Sequence, residues 1–183
     1  MIFATERLLL RRACFDDLDD LHAVLSNPAA MRYWATPEHE TLQQSRDWLL
    51  SMMGADTSRS DEFVIEHQGR VIGKAGAWML PDIAYILHPD YWRRGLMTEA
   101  LRVLIPYLFA QHNVPHLTAE VDPRNEATIA LLQHFGFAET HRAERTLKWK
   151  DEWCDSIYFA LPRPLSQTTT RARAFPAGRS SGL

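Results

Sequence analysis

Arg93, Arg94 and Gly95 stand together in the run HPDYWRRGLMTEALRVL, residues 88–104, between a strand-like stretch and a helix-like one. Two cations and a residue without a side chain at a helix start suit one task, the holding of an anion. The first turn of a helix leaves backbone N–H groups unpaired, and its dipole favours negative charge. A glycine lets a ligand approach the main chain, and guanidinium groups form charge-assisted bonds to phosphate oxygens. His88, Arg93, Arg94, Gly95, Leu96, Met97 and Thr98 therefore form a candidate pyrophosphate cradle. A solvated turn before an ordinary helix can carry the same letters, so the motif alone is weak. A second group lies in EVDPRNEATIALLQHFGF, residues 120–137. Asn125 suits a helix N-cap that accepts from the Thr128 N–H. Gly136 suits the left-handed residue after that helix, with Phe137 folding back on Leu132.

The elements that must position these groups follow from periodicity. Residues 5–13 read as a strand. A helix opens at Asp16, with Leu18, Leu21, His22 and Leu25 at helical spacing, and Asn27-Pro28 closes it. A second helix covers residues 40–53, burying Leu42, Trp48, Leu49 and Met52. Strands at 62–67 and 71–80 form a hairpin around Gln68-Gly69-Arg70, and a third runs over 83–88. A helix covers 98–111, bent near Arg102 because Pro106 lies inside it. A strand at 116–121, a short helix at 125–135 and strands at 138–149 and 153–161 complete the order βααβββαβαββ. This is a mixed α/β (α+β) layer with antiparallel hairpins. Residues 1–163 make one domain. Residues 164–183, rich in Ser, Thr, Pro, Gly and Arg without apolar periodicity, read as a disordered tail.

Composition limits the setting. Twenty Lys and Arg against 23 Asp and Glu give a formal charge of −3, which argues against a general nucleic-acid binder. No apolar run approaches the roughly 20 residues of a membrane span. The first residues lack a signal-peptide pattern. Cys14 and Cys154 are too few and too far apart for a disulfide framework or a zinc cluster. A cytoplasmic chain, monomeric or homodimeric, without metal and without nucleic-acid or membrane partners is expected.

The run Tyr91 to Ala100, YWRRGLMTEA, resembles the acyl-CoA-binding motif of the GNAT acetyltransferase superfamily, in particular its RimJ/RimL-type branch. The Asn125–Thr128 block with its "GF" ending, and DEWCDSIYFAL near the C-terminus, resemble the family at the matching places. Trp92 and Met97 depart from the broader Gln/Arg-x-x-Gly-x-Gly/Ala pattern, and Met97 crowds the phosphates. The resemblance implies a largely antiparallel sheet with helices on both faces, with acetyl-CoA as cosubstrate and an amine as acceptor. It implies cofactor binding at Ile86, Leu87 and His88, with a backbone N–H near Leu87 as oxyanion donor, and it turns Asn125 and Thr128 toward the pantetheine arm and the sulfur. Many relatives keep a Tyr acid seven residues after the Asn. Leu132 stands there, so Thr128 is the candidate hydroxyl for the leaving thiolate.

Removal of the ammonium proton calls for a carboxylate. Glu120 is the candidate and Glu144, on the next strand, a second, and for either the alternative reading is a solvated surface residue. Tyr33, Trp34 and Trp48 are candidates for the acceptor pocket, with core packing the alternative for aromatics at helical spacing. A primary amine on a protein N-terminus or on a small molecule satisfies the pattern. A non-catalytic acyl-CoA-binding module, or an interaction domain whose arginine turn meets an acidic partner, remains an alternative.

Overall fold

The computed structural model describes residues 1–164, so most of the expected tail at 164–183 lies outside the described residues. The elements are β1 (Ile2–Ala4), β2 (Leu9–Arg11), α1 (Leu18–Leu25), α2 (Pro28–Met31), α3 (Leu42–Met53), β3 (Asp61–His67), β4 (Arg70–Met79), β5 (Asp82–Leu87), α4 (Leu96–Gln111), β6 (His116–Val121), α5 (Glu126–His134), β7 (Ala138–Trp149) and β8 (Glu152–Pro162). The strands form one sheet of order β1-β2-β3-β4-β5-β6-β8-β7. All neighbours are antiparallel except β5 and β6.

The expected order holds, with two short additions. The strand expected at 5–13 is a hairpin instead, because Thr5 turns the chain. Its N–H donates to the Leu8 carbonyl at 2.9 Å, and its hydroxyl accepts from the Leu8 N–H at 3.0 Å. Asn27-Pro28 stops α1 but also starts α2. The Asn27 side chain accepts from the Ala29 and Ala30 N–H groups, and Pro28 occupies the first helical position, where a missing N–H costs nothing. The helix expected over 98–111 begins two residues earlier and continues through Pro106. Arg102 and Pro106 both face solvent, so water can reach the carbonyl that the proline leaves unpaired.

Alternation along β3 assigns the two faces. Phe63 and Ile65 join α4 and α5 in one core, with Leu101, Leu104, Leu108, Leu132 and Phe137. Val64 points the other way and joins Leu21, Leu25, Met31 and Leu49 of α1, α2 and α3. Helices thus cover both faces. At the far end of the sheet, the buried Asp61 carboxylate accepts from Arg12, His112 and Tyr107 at 2.6, 2.6 and 3.0 Å, which ties α4 to β3.

The buried side of α3 differs from the expected one. Leu42 is exposed and Ser45 is fully buried. Ser45 lies 2.8 Å from both His22 Nδ1 and His39 Nδ1, so the helix rolls to place a hydroxyl between two imidazoles. Burial, then the neighbouring His22, holds the His39 pKa below its ordinary 6.5. The unfolded chain therefore binds the extra proton first, and stability present above pH ~6.5 falls as the pH drops through that value. His39→Asn should weaken this fall between pH 7 and 5. Melting temperatures of the variant and wild type across that range measure it, and parallel curves would remove His39 from the effect.

Candidate active site

The middle of the sheet opens between β5 and β6. These strands pair only at Asp82↔Thr118, joined by the Thr118 N–H donating to the Pro81 carbonyl at 3.0 Å. Toward Leu87 and Val121 they share no further pairs. The His88 N–H points toward β4, where it donates to the Ile72 carbonyl at 2.9 Å. Backbone groups alternate sides along a strand, so the Leu87 N–H and C=O point into the opening. The Trp92 indole takes the carbonyl at 2.9 Å. The Leu87 N–H is thereby presented, from a buried residue, to whatever enters the slot.

Below the opening, α4 starts at Gly95. Its φ is +72°, so the left-handed cap swings Leu96, Met97 and Thr98 into the first turn with their N–H groups facing outward. Arg7, which sequence reasoning missed, fixes this turn. Its guanidinium pairs with Glu99 Oε2 at 2.7 Å and donates to the Arg94 carbonyl at 2.9 Å. Thr5 and the Arg7 N–H donate to Glu99 Oε1 at 2.5 and 2.8 Å. Burial alone would raise the Glu99 carboxyl, but these bonds hold it below its ordinary value. Its charge is thus neutralised locally.

A cavity of about 1200 Å³ joins the opening and the turn, and extends to α2, α3 and the β7–β8 hairpin. That is roomier than a usual single-ligand pocket. Ile86, Leu87, Arg93, Gly95, Leu96, Met97 and Thr98 line it, as do Glu120, Asn125 and Thr128. Two expected residues do not. Arg94 turns aside, with its guanidinium 5.4 Å from the Tyr91 ring centre. His88 turns back on its own turn, with Nδ1 accepting from the Asp90 N–H at 3.3 Å. Asn125 caps α5 by accepting from the Thr128 N–H at 3.2 Å. The helix ends with Gly136 at φ +85°, and the Phe137 N–H reaches the Leu132 carbonyl at 3.1 Å, as expected.

Glu120 lies on the face of β6 opposite Leu117, Ala119 and Val121, which are buried in the α4–α5 core. The Ser156 and Tyr158 hydroxyls both donate to its Oε1, at 2.6 and 3.1 Å. They fix the carboxylate and leave Oε2 able to accept a proton. Glu144 is exposed and Leu147 lines the cavity. Asp82 lies close to Glu120. Burial raises its carboxyl above the ordinary value; donation from Trp78 at 2.8 Å and Thr118 at 3.0 Å opposes this, and the Glu120 charge adds to the rise. Trp34 and Trp48 line the α2–α3 end of the cavity, around a buried ion pair of Lys74 with Glu62. Asp82, Lys74 and Tyr85 gave no signal beyond strand alternation.

Residues 7–138 match the family model for the acetyltransferase (GNAT) domain. The chain belongs to the GNAT acetyltransferase family. It is 29% identical over 168 residues to the uncharacterized N-acetyltransferase p20 of Bacillus licheniformis, covering 86% of this chain and 93% of the relative. It is 29% identical over 132 residues to spermidine N(1)-acetyltransferase of Escherichia coli K12, covering 67% and 68%. Among solved structures, RimL, a ribosomal L7/L12 α-N-protein acetyltransferase in complex with coenzyme A, superposes with a TM-score of 0.80 at 17% identity. The match covers 88% of this chain and 98% of that one. An acetyltransferase from Bacillus anthracis superposes with a TM-score of 0.77 at 22% identity, covering 88% and 98%. The fold is the GNAT fold, the chain is an N-acetyltransferase, and acetyl-CoA is the donor.

The Gly95 conformation is testable apart from any ligand. A Cβ there would meet only the Arg7 guanidinium, at 3.7 Å, an ordinary contact. The cost of Gly95→Ala is therefore that of a left-handed L-residue, about 1–2 kcal/mol. Urea unfolding should show a stability lower by that amount, read as a lower midpoint at unchanged slope, and an unchanged midpoint would mean that the turn relaxes freely.

Proposed function

We propose that this enzyme moves the acetyl group of acetyl-CoA to a primary amine entering the cavity from the side of α2, α3 and the β7–β8 hairpin. One observation carries the reading: a single cavity joins the α4 turn, the β5–β6 opening and the free oxygen of Glu120. The N–H groups of Leu96, Met97 and Thr98, with Arg93, hold the pyrophosphate. The pantetheine arm takes the place of the missing β6 partner, and the Leu87 N–H faces the thioester carbonyl.

Glu120 Oε2 accepts the proton that the acceptor ammonium must lose, directly or through water. The amine nitrogen then bonds the acetyl carbon, and the carbonyl π pair moves to oxygen, where the Leu87 N–H stabilises it. When the carbonyl re-forms, the C–S bond breaks and its pair stays on sulfur. The Thr128 hydroxyl donates to that thiolate, and the nitrogen loses its second proton to solvent. The acceptor end offers Asp82 and Glu120 to a cation, and Trp34, Trp48 and Trp78 to its apolar stem. Spermidine and a protein α-amine, named for the Escherichia coli relative and for RimL, are both primary amines. An acceptor screen of polyamines and N-terminal peptides, read by mass spectrometry of the product, assigns the class. Tight acetyl-CoA binding without any acetylated product would favour an acyl-CoA sensor instead.

Two predictions test the parts. Arg93 lines the cavity and Arg94 does not, so Arg93→Ala should weaken coenzyme A on the order of tenfold, about 1.4 kcal/mol, and Arg94→Ala much less. Calorimetry measures both, and equal losses would return Arg94 to the site. Thr128→Val keeps the branched shape, and the cap acts on the Thr128 N–H rather than its hydroxyl. Its melting temperature and acetyl-CoA affinity should hold while kcat falls about tenfold or more. A wild-type kcat would mean that the thiolate leaves without help from Thr128.

A further inference from the structure

β7 does not pair evenly with β8. Ala143 pairs with Ser156 and Leu147 with Cys154, so residues 144–146 stand opposite Asp155 alone. The bulge is pinned at Arg145. Its φ is +53°, a left-handed conformation that is strained for an L-residue, and its N–H donates to Asp155 Oδ1 at 2.9 Å. Regular alternation sends consecutive side chains of a strand to opposite faces. Thr146 and Leu147 nevertheless both line the cavity. Bulges beside active sites re-aim a side chain in this way, and the side chain re-aimed here is Thr146.

The Thr146 hydroxyl lies 2.5 Å from the Ser156 hydroxyl, and Ser156, itself buried, lies 2.6 Å from Glu120 Oε1. The protons fix the direction of both bonds. An ionised carboxylate only accepts, and each hydroxyl has one proton. The Ser156 proton is therefore engaged by Glu120, and only the Thr146 proton can occupy the contact between the two hydroxyls. The Cys154 carbonyl, at 3.3 Å, is the longer alternative for that proton. Tyr158 donates to the same carboxylate oxygen at 3.1 Å. Burial, then the Glu120 charge, raises its phenol above the ordinary value, so it keeps its proton. The other groups around Glu120 do not neutralise it. Asp82 on β5 is a second acid, and His141 of β7 stacks on the Tyr158 ring with centres 4.3 Å apart. Of the cations that line the cavity, Lys74 is paired with Glu62, and Arg124 with Asp122 and Glu152.

We propose that Thr146 is a positioning residue for the base: the β7 bulge delivers its hydroxyl to Ser156, and the two hydroxyls in series aim their protons at Glu120 Oε1, leaving Oε2 open to the acceptor amine. This rests on the role of Glu120 proposed above. Hydrogen bonds in series polarise one another, and donation to the charged form of an acid favours that form. The ammonium proton goes to Oε2, and both hydroxyls keep their own. Asp155 acts one step further out, by holding the bulge.

Side-chain carboxyl carbons followed by NMR against pH test the proposal without turnover, the Glu120 signal being assigned by its loss in Glu120→Gln. Removal of the donors should move the Glu120 midpoint to higher pH, by about one unit in Ser156→Ala and about half a unit in Thr146→Val. Thr146→Ser, which keeps the hydroxyl, should keep the wild-type midpoint. The double variant, Ser156→Ala with Thr146→Val, should titrate like Ser156→Ala alone, since Thr146 acts through Ser156. The acid limb of kcat/KM for the amine should move by the same amounts. An unmoved midpoint in either single variant, a shift in Thr146→Ser as large as in Thr146→Val, or shifts that add in the double variant would overturn the role of Thr146. A midpoint that moves while the acid limb stays would defeat Glu120 as the base and leave the hydroxyl chain standing.

Discussion

A gap in the main-chain hydrogen bonding of the sheet is the constraint on which the rest of this molecule depends. Buried N–H and C=O groups must find partners, yet β5 and β6 pair at a single position in the centre of an eight-stranded sheet. Every other neighbouring pair runs antiparallel through at least three positions, so the strain of divergence is confined to one seam. The Trp92 indole satisfies one orphan, the Leu87 carbonyl. In the proposed reaction its partner N–H meets an extended ligand that adds to the strand edge, the mode by which sheets bind peptides and peptide-like chains. Pantetheine, with its two amides, has that character.

The turn at Gly95 solves a second problem, the convergence of charges before a polyanion arrives. A glutamate in the first helical turn already meets the dipole favourably, but it would repel a phosphate. The structure turns Glu99 away and saturates it with Thr5 and Arg7 from the β1–β2 hairpin. Arg7 also grips the Arg94 carbonyl, so one guanidinium neutralises the acid and fixes the backbone ahead of the glycine. The hairpin at the edge of the sheet thus holds the turn proposed for the pyrophosphate without touching the cavity.

The parts of this design that were legible in the sequence were local. Asn125 and Gly136 announce caps, and a cap is a statement about a few consecutive residues, so each was readable and each is where expected, whereas the helix expected from Thr98 starts directly after Gly95. What sequence could not carry was direction. Arg93 and Arg94 are identical letters, and only the positive φ of Arg93 and the Tyr91 ring beside Arg94 separate the one that lines the cavity from the one that leaves it. His88 looked like a phosphate ligand and instead caps its own turn. Long-range pairs were out of reach for the same reason. Arg7 meets Glu99 across 92 positions, and Ser156 meets Glu120 across 36.

The same distinction explains why the acceptor half of the cavity differs in kind from the donor half. The donor half is built largely from backbone: a strand edge, a helix start and a capped second helix, to which Trp92, Arg93, Asn125 and Thr128 add side chains. The acceptor half is built from side chains brought from α2, α3, β4, β5, β6 and β8, with Asp82 and Glu120 on one wall and three tryptophans around them. Substitutions there change charge and shape without moving the strands. Asp82 is held by Trp78 and Thr118, and Glu120 by Ser156 and Tyr158, so each carboxylate is positioned by hydroxyl or indole donors rather than by a neutralising cation. Two adjacent carboxylates without a cation of their own keep the local potential negative. That potential draws an ammonium group in, and the same field opposes its deprotonation. In the proposed reaction the tension is resolved when a base is fixed at one oxygen and free at the other, and Glu120, held at Oε1 alone by Ser156 and Tyr158, has that arrangement.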